Sequence, residues 1–305
     1  MTSFRITPKG PFSLEASTRF LEGFAPAAYG GAQHPKHLHL AFPVEGVWEN
    51  TVGVCIRQAS KAVVGDMFGD ADQARVRRQV VRLLSLDVDG SGFPEVGKRD
   101  RVVGALQRSY PGLRPVLFWS PYEAAAWTII GHRIRITQAA RIKQRMAQDL
   151  GDEVVVHGER LHGFPSPKRL ASMDAFPGLF ARKVDLLHGI AEAALQGVLD
   201  AERLRSFSRE DALAQLKRLS GIGDFSAELI LVRGAGDPDH FSRSERRLHG
   251  AMAVAYDFQA VPAIERLEDI AEKWRPFRSW VSVLFRAELE DRTPDTSGPS
   301  DENRS

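Results

Sequence analysis

Leu216-Lys217-Arg218-Leu219-Ser220-Gly221-Ile222-Gly223-Asp224-Phe225-Ser226-Ala227-Glu228-Leu229 decides how this chain is read, because it spells two short helices joined by a glycine turn. Upstream, Ser208-Arg209-Glu210-Asp211 has the form of a capping box, with the Ser208 hydroxyl placed to take an orphan N–H. Leu213, Leu216 and Leu219 then recur at helical spacing. Gly221 and Gly223 are read as permitting positive φ and close approach, and the second helix is expected to begin near Asp224, which caps it. Backbone N–H groups at such a start point outward at the positive end of a helix dipole. That end suits a nucleic-acid phosphate and ignores base identity. The plain alternative is an ordinary corner between two helices, since Gly-x-Gly is a weak signal on its own.

The surrounding residues sharpen the choice. Leu-x-x-Leu-x-Gly-Ile-Gly-x-Phe-Ser-Ala-Glu-Leu followed by Val232-Arg233-Gly234 resembles the signature of the helix-hairpin-helix DNA glycosylases, and within them the alkylbase glycosylases that remove 3-methyladenine. The block Ala271-Glu272-Lys273-Trp274-Arg275-Pro276-Phe277-Arg278-Ser279-Trp280 is similar to the C-terminal helix of that group. Glu123-Ala124-Ala125-Ala126-Trp127-Thr128-Ile129-Ile130-Gly131-His132-Arg133-Ile134 resembles the helix leading into its DNA-wedge loop. The likeness covers residues 110 to 288.

Composition sets wider bounds. The chain has 305 residues, 43% of them hydrophobic, enough for substantial cores. It shows no apolar run of the roughly 20 residues a bilayer span requires, and no leader pattern. The expectation is a monomer in the cytoplasm, on the nucleoid in a bacterium, with no membrane partner. The single cysteine, Cys55, excludes an internal disulfide and a cluster held by four cysteines of this chain. Net charge is +2, but residues 288–305 carry six acids against two arginines, so the remainder is more basic than the total suggests.

Along the chain, Phe4-Arg5-Ile6, His37 to Phe42 and Thr51 to Arg57 carry strand signals between Pro and Gly, while Asp72 to Leu86 has helical spacing. Beyond Asp87-Val88-Asp89-Gly90-Ser91-Gly92 the pattern is helical, with candidate helices near 99–109, 121–149, 166–173, 178–197, 208–219, 225–234, 243–256 and 264–290. The expected fold is α+β: a small antiparallel-sheet N-terminal domain over residues 1–95, a helical domain over 96–290, and a disordered acidic tail over 291–305. Asp87 and Asp89 lack the rest of a calcium loop, no His-Glu-x-x-His or zinc-type cysteine pair occurs, and nothing in the N-terminal region singles out a site.

The resemblance implies a chemistry. An enzyme that acts on one base of duplex DNA extrudes it, fills the gap, binds the base and stabilises the cationic sugar left behind. The acid of the family, an aspartate placed after the hairpin in register with Phe241, corresponds to Glu245, one methylene longer; its structural alternative is a helix cap paired with Arg246 or Arg247. The lysine that cuts the sugar in some members corresponds to Phe225, so a monofunctional glycosylase without lyase activity is implied, with Phe225 stacking on the base. Leu229 and Arg286 stand where an alkylbase enzyme has tyrosine and tryptophan; Trp127, Trp280 and Phe285 are read first as core residues, with stacking on the base as their alternative. Arg133, after His132, takes the wedge position, and with Arg135, Arg141 and Lys143 gives that segment a basic face. Gly221, Gly223 and Ser226 are read as backbone contacts to DNA. No organic cofactor is expected; a structural Na+ or K+ would sit on the carbonyls of Lys217, Leu219 and Ile222. The implied partner is double-stranded DNA containing a damaged base. A DNA-binding protein of the same fold, with weak or no catalysis or with a different lesion, is the competing expectation.

Overall fold

The computed structural model describes residues 2–23 and 37–292. Strands β1 (Thr2–Ile6), β2 (His37–Pro43), β3 (Thr51–Ala59) and β4 (Ala62–Phe68) form an antiparallel sheet in the order β1-β4-β3-β2, with helices α1 (Leu14–Gly23) and α2 (Gln73–Leu83) in the same part of the chain. Alternation sorts the sheet into two faces. Leu38, Leu40, Phe42, Val52, Val54 and Ile56 enter the main core, where Val76, Val80 and Leu83 of α2 also lie. Asp72 caps α2 by accepting from Arg75 N at 2.8 Å.

The helical part runs α3 (Phe93–Arg99), α4 (Arg101–Ser109), α5 (Pro121–Gly131), α6 (Ile136–Leu150), a hairpin β5 (Glu153–Val156) and β6 (Glu159–His162), then α7 (Pro167–Ala171) and α8 (Ala181–Leu195). It continues with α9 (Ala201–Ser206), α10 (Arg209–Lys217), α11 (Asp224–Leu229), α12 (Arg246–Ala255), α13 (Ile264–Ala271) and α14 (Arg278–Arg292). The α+β reading therefore holds. Two of the long helices expected from periodicity are broken, at residues 132–135 after α5 and around Pro276, whose missing N–H and ring oppose continuation, while the helix expected over 99–109 forms from Arg101 with Asp100 as its cap.

The hairpin over 153–162 was not anticipated. Val154, Val155 and Val156 are β-branched and favour an extended backbone, and His157 and Gly158 turn the chain at φ 49° and 86°. It covers the outer face of the sheet so closely that a Cβ on Gly53 would stand 2.4 Å from Val156 Cγ2. Here a close approach requires glycine.

The two parts of the chain share one buried cluster, from Phe4 through Ala287. Two buried ions bind them further. Arg114, 1% exposed, donates to the carbonyls of Pro11 at 2.8 Å, Ser85 at 3.0 Å and Val88 at 3.2 Å, with its guanidinium 4.9 Å from the Trp280 ring. Glu45 accepts from Arg82 and from Ala201 N. At the centre lies α5, buried on all sides as an apolar helix must be, with Ser120 capping it through Glu123 N at 3.2 Å.

The first two residues of the expected tail are ordered: α14 continues through Arg292, and Asp291 accepts a hydrogen bond from the Tyr110 hydroxyl at 2.7 Å. Its remainder, 293–305, lies outside the described residues. No helix among the described residues is long and apolar enough to cross a membrane.

Candidate active site

The hairpin is formed by α10, a six-residue turn and α11. Ser208 caps α10, its hydroxyl accepting from Asp211 N at 3.1 Å. Gly221 has φ 84°, and a Cβ there would come 2.8 Å from Ile129 Cδ1, so the turn sits on the central helix with no room for a side chain. Gly223 differs from expectation. Its φ is −95°, ordinary extended backbone, and a Cβ would meet nothing within 4 Å. Asp224 does not cap α11 either; Gly223 holds that position, and the Asp224 carboxylate instead takes Lys217 Nζ at 3.0 Å. Among the carbonyls proposed for a cation, that of Leu219 accepts from Ile222 N at 3.1 Å.

Beside this hairpin opens a cavity of about 580 Å³. Its walls bring together Trp127, His132, Phe225, Ser226, Leu229, Glu245 and Arg286, residues spread over 160 positions of sequence. Phe225 is 50% exposed, so its ring faces the cavity and is no core residue. Trp127 is nearly buried at its edge. Gly221, Gly223 and Arg133 are not among the lining residues. Trp280 and Phe285 supply no stacking surface: Trp280 packs edge-on against Phe93 with ring centres 5.1 Å apart, and both are core.

Glu245 stands at the N-cap position of α12 but makes no capping bond. Its carboxylate accepts from Arg286 Nη1 at 3.2 Å, in place of the pairing with Arg246 or Arg247. Arg286 also donates to Glu290 at 3.2 Å, so its charge is shared between two carboxylates.

The segment leading to Glu245 is held from two sides. Arg278 and Ser279 of the C-terminal block grip its first half: Arg278 Nε donates to Asp239 Oδ1 at 2.9 Å, and the Ser279 hydroxyl accepts from His240 N at 3.0 Å and donates to His240 O at 3.1 Å. Arg209 forks onto Asp237 at 2.7 and 3.0 Å. The second half closes on Glu228 of α11, whose carboxylate accepts the hydroxyls of Ser242 and Ser244 and the N–H groups of Arg243 at 3.2 Å and Ser244 at 3.3 Å. Burial raises the Glu228 pKa, but the His240 ring 3.5 Å away and the bonds from Ser242 and Ser244 outweigh it and hold the carboxyl at about 2. Sequence reading passed over Glu228; the available signal was an acid on the buried side of a short helix, followed by the polar pair Ser242 and Ser244.

The loop after α5 brings His132 to the cavity and turns through Arg133 at φ 55°, which leaves that side chain exposed. Burial, then the charges of Lys183 and Arg133, push the His132 imidazole below its ordinary range, so it is neutral at pH 7. Arg135, Arg246 and Arg247 add positive charge around the opening. Lys143 does not belong to this basic face: it is 5% exposed and pairs with Glu123 at 2.6 Å inside the fold.

No family model matches the chain. The DNA-3-methyladenine glycosylase of Bacillus subtilis is 24% identical over 217 residues, covering 68% of this chain and 72% of that protein. The Mycobacterium tuberculosis protein named "Probable bifunctional transcriptional activator/DNA repair enzyme AlkA" is 29% identical over 94% of this chain, which spans 57% of its length. Among solved structures, the 3-methyladenine DNA-glycosylase of Archaeoglobus fulgidus superposes with a TM-score of 0.75 at 23% identity, covering 96% of this chain and 99% of the other. With the glycine hairpin and the segment it faces, these comparisons make the chain similar in sequence to the 3-methyladenine DNA glycosylases and give it the fold of the Archaeoglobus fulgidus structure.

Proposed function

We propose that this chain is a monofunctional glycosylase of base excision repair that hydrolyses the N-glycosidic bond of an extruded alkylated base, such as 3-methyladenine, in double-stranded DNA. The observation that carries the reading is that Glu245 and Phe225 line one cavity beside the hairpin. The open side of Gly223 admits a phosphate to the N–H groups of the turn. Arg133 props the gap left by the extruded nucleotide, and the Phe225 face stacks on the base. As the bond lengthens, positive charge grows on the sugar, and the Glu245 carboxylate stabilises it and orients the attacking water. Arg286, which also holds Glu290, fixes that carboxylate at the cavity. No amine stands at residue 225, so no imine forms and the sugar is left uncut. The carbonyls of Lys217, Leu219 and Ile222 hold a monovalent cation at the turn, and the protein acts as a monomer in the compartment that holds the DNA.

Base release from methylated duplex under single-turnover conditions, with the released base identified chromatographically, tests this. Release of 3-methyladenine that vanishes in Glu245→Gln supports the reaction and the acid together. A second reading, DNA binding with little excision, draws on the ion pair that occupies Glu245. Salt-sensitive duplex binding with no release from the native chain would favour it.

A further inference from the structure

The outer face of the N-terminal sheet carries a cluster that the glycosylase chemistry does not use. His37 and His39 lie two residues apart on β2, and Cys55 lies directly opposite His39 on β3. Alternation therefore places all three on the face away from the main core. One ligand atom from each of them falls within 4.8 Å of the other two, the one such group of three among the described residues. His37 Nδ1 is 3.5 Å from Cys55 Sγ. Tetrahedral zinc, with bonds of about 2.0 Å to imidazole nitrogen and about 2.3 Å to sulfur, separates two such ligands by roughly 3.5 Å. The rings of His37 and His39 meet edge to face at 6.3 Å, so both can turn a nitrogen toward the sulfur without stacking.

A second feature points the same way. Glu159, on the hairpin that covers this face, has Oε2 2.7 Å from His39 Nδ1. A carboxylate on one imidazole nitrogen fixes the tautomer in which the other carries the lone pair, and it makes that nitrogen more basic; metal-ligating histidines are commonly supported in this manner. Cys55 is fully buried on a small apolar patch with Ala41, Val156 and Leu161, so the sulfur is shielded from oxidants and unsuited to act as a nucleophile.

We propose that His37, His39 and Cys55 bind one zinc-class divalent cation, with Glu159 orienting His39 and water completing the coordination. The donor set of two imidazoles and a thiolate suits Zn2+ or Co2+ and excludes Mg2+ and Ca2+, which take oxygen ligands. Binding expels the thiol proton to solvent and forms the metal–sulfur bond with no change of oxidation state. The cation would staple β2 to β3 and, through Glu159, the sheet to the hairpin of the helical part. This assignment is independent of the glycosylase reading.

The full chain, stripped of metal, is titrated with Co2+ and then with Zn2+ in competition. One equivalent of Co2+ should bring up a thiolate-to-cobalt charge-transfer band that Zn2+ erases. Cys55→Ala should abolish the band, and Glu159→Gln should weaken Co2+ binding about 10- to 100-fold. Circular dichroism checks that each variant is folded. As a second reading, Zn2+ should raise the melting temperature of the native chain and leave that of His39→Ala unchanged. Absence of the band and of any Zn2+-dependent shift in the folded native chain overturns the proposal, as does Cys55→Ala binding with undiminished affinity.

Discussion

Two glutamates reach into the same cavity wall and behave as opposites. Glu228 has its oxygens occupied by hydroxyl and backbone donors of the segment 242–244, and its carboxyl is held at about 2. Glu245, one residue beyond that segment, has a single ion pair, to Arg286 at 3.2 Å, and otherwise lines the cavity. A carboxylate whose lone pairs are filled fixes backbone; one left partly unfilled has capacity for charge that appears during a reaction. The first is what allows the second to stand in place, since an error of about 1 Å in a reacting group can cost on the order of 100-fold in rate.

The sharpest way to break this contrast is to exchange the effects. Glu245→Gln should lower single-turnover base release by on the order of 1000-fold while stability moves by less than about 0.5 kcal/mol, read by denaturant unfolding. Glu228→Ala should show the reverse emphasis, a loss of about 3 kcal/mol in stability, because buried donors lose their acceptor, with a smaller loss of rate. Were Glu228→Ala to leave stability intact, the clamp would be incidental.

The acid limb of stability refines the same point. The folded carboxyl of Glu228 lies at about 2 against an ordinary value of 4.5, so its contribution is complete above pH 4.5 and is lost as pH falls toward 2. That depression corresponds to roughly 3 kcal/mol. The stability gap between the native chain and Glu228→Ala should therefore shrink over that window in urea melts followed by fluorescence.

Smaller effects separate the two glycines and the two basic side chains. Gly221→Ala meets Ile129 at positive φ and should cost about 1–3 kcal/mol, whereas Gly223→Ala should leave stability nearly unchanged and weaken duplex affinity. Arg133→Ala should reduce affinity and flatten its salt dependence by about one charge. Lys143→Ala should instead destabilise the fold, because it abandons buried Glu123.

The hairpin was legible because its glycine spacing and Ser208 cap are local, and the structure keeps both in their expected roles at Gly221 and Ser208. Gly223 and Asp224 were misread for the same local reason: sequence shows that a glycine permits a left-handed backbone, but not that the chain uses it. Lys143 looked like Arg141, two residues before it, and only α6's orientation against Glu123 buries one and exposes the other. Trp280 and Phe285 could not be told from cavity residues by type, since an aromatic ring suits a core and a pocket alike.

Sequence by itself determined what depends on neighbours along the chain: the α+β order, the turn that needs glycine, the position of Glu245 after it and the absence of an amine at residue 225. Tertiary structure decided what depends on neighbours in space. Arg286 comes from α14 to meet Glu245, Glu228 closes on a segment more than a dozen residues away, and a hairpin from the helical part lays Glu159 beside His39. Hydrogen bonds and ion pairs act over a few ångströms. Folding, and no spacing within the sequence, brings those groups within that reach.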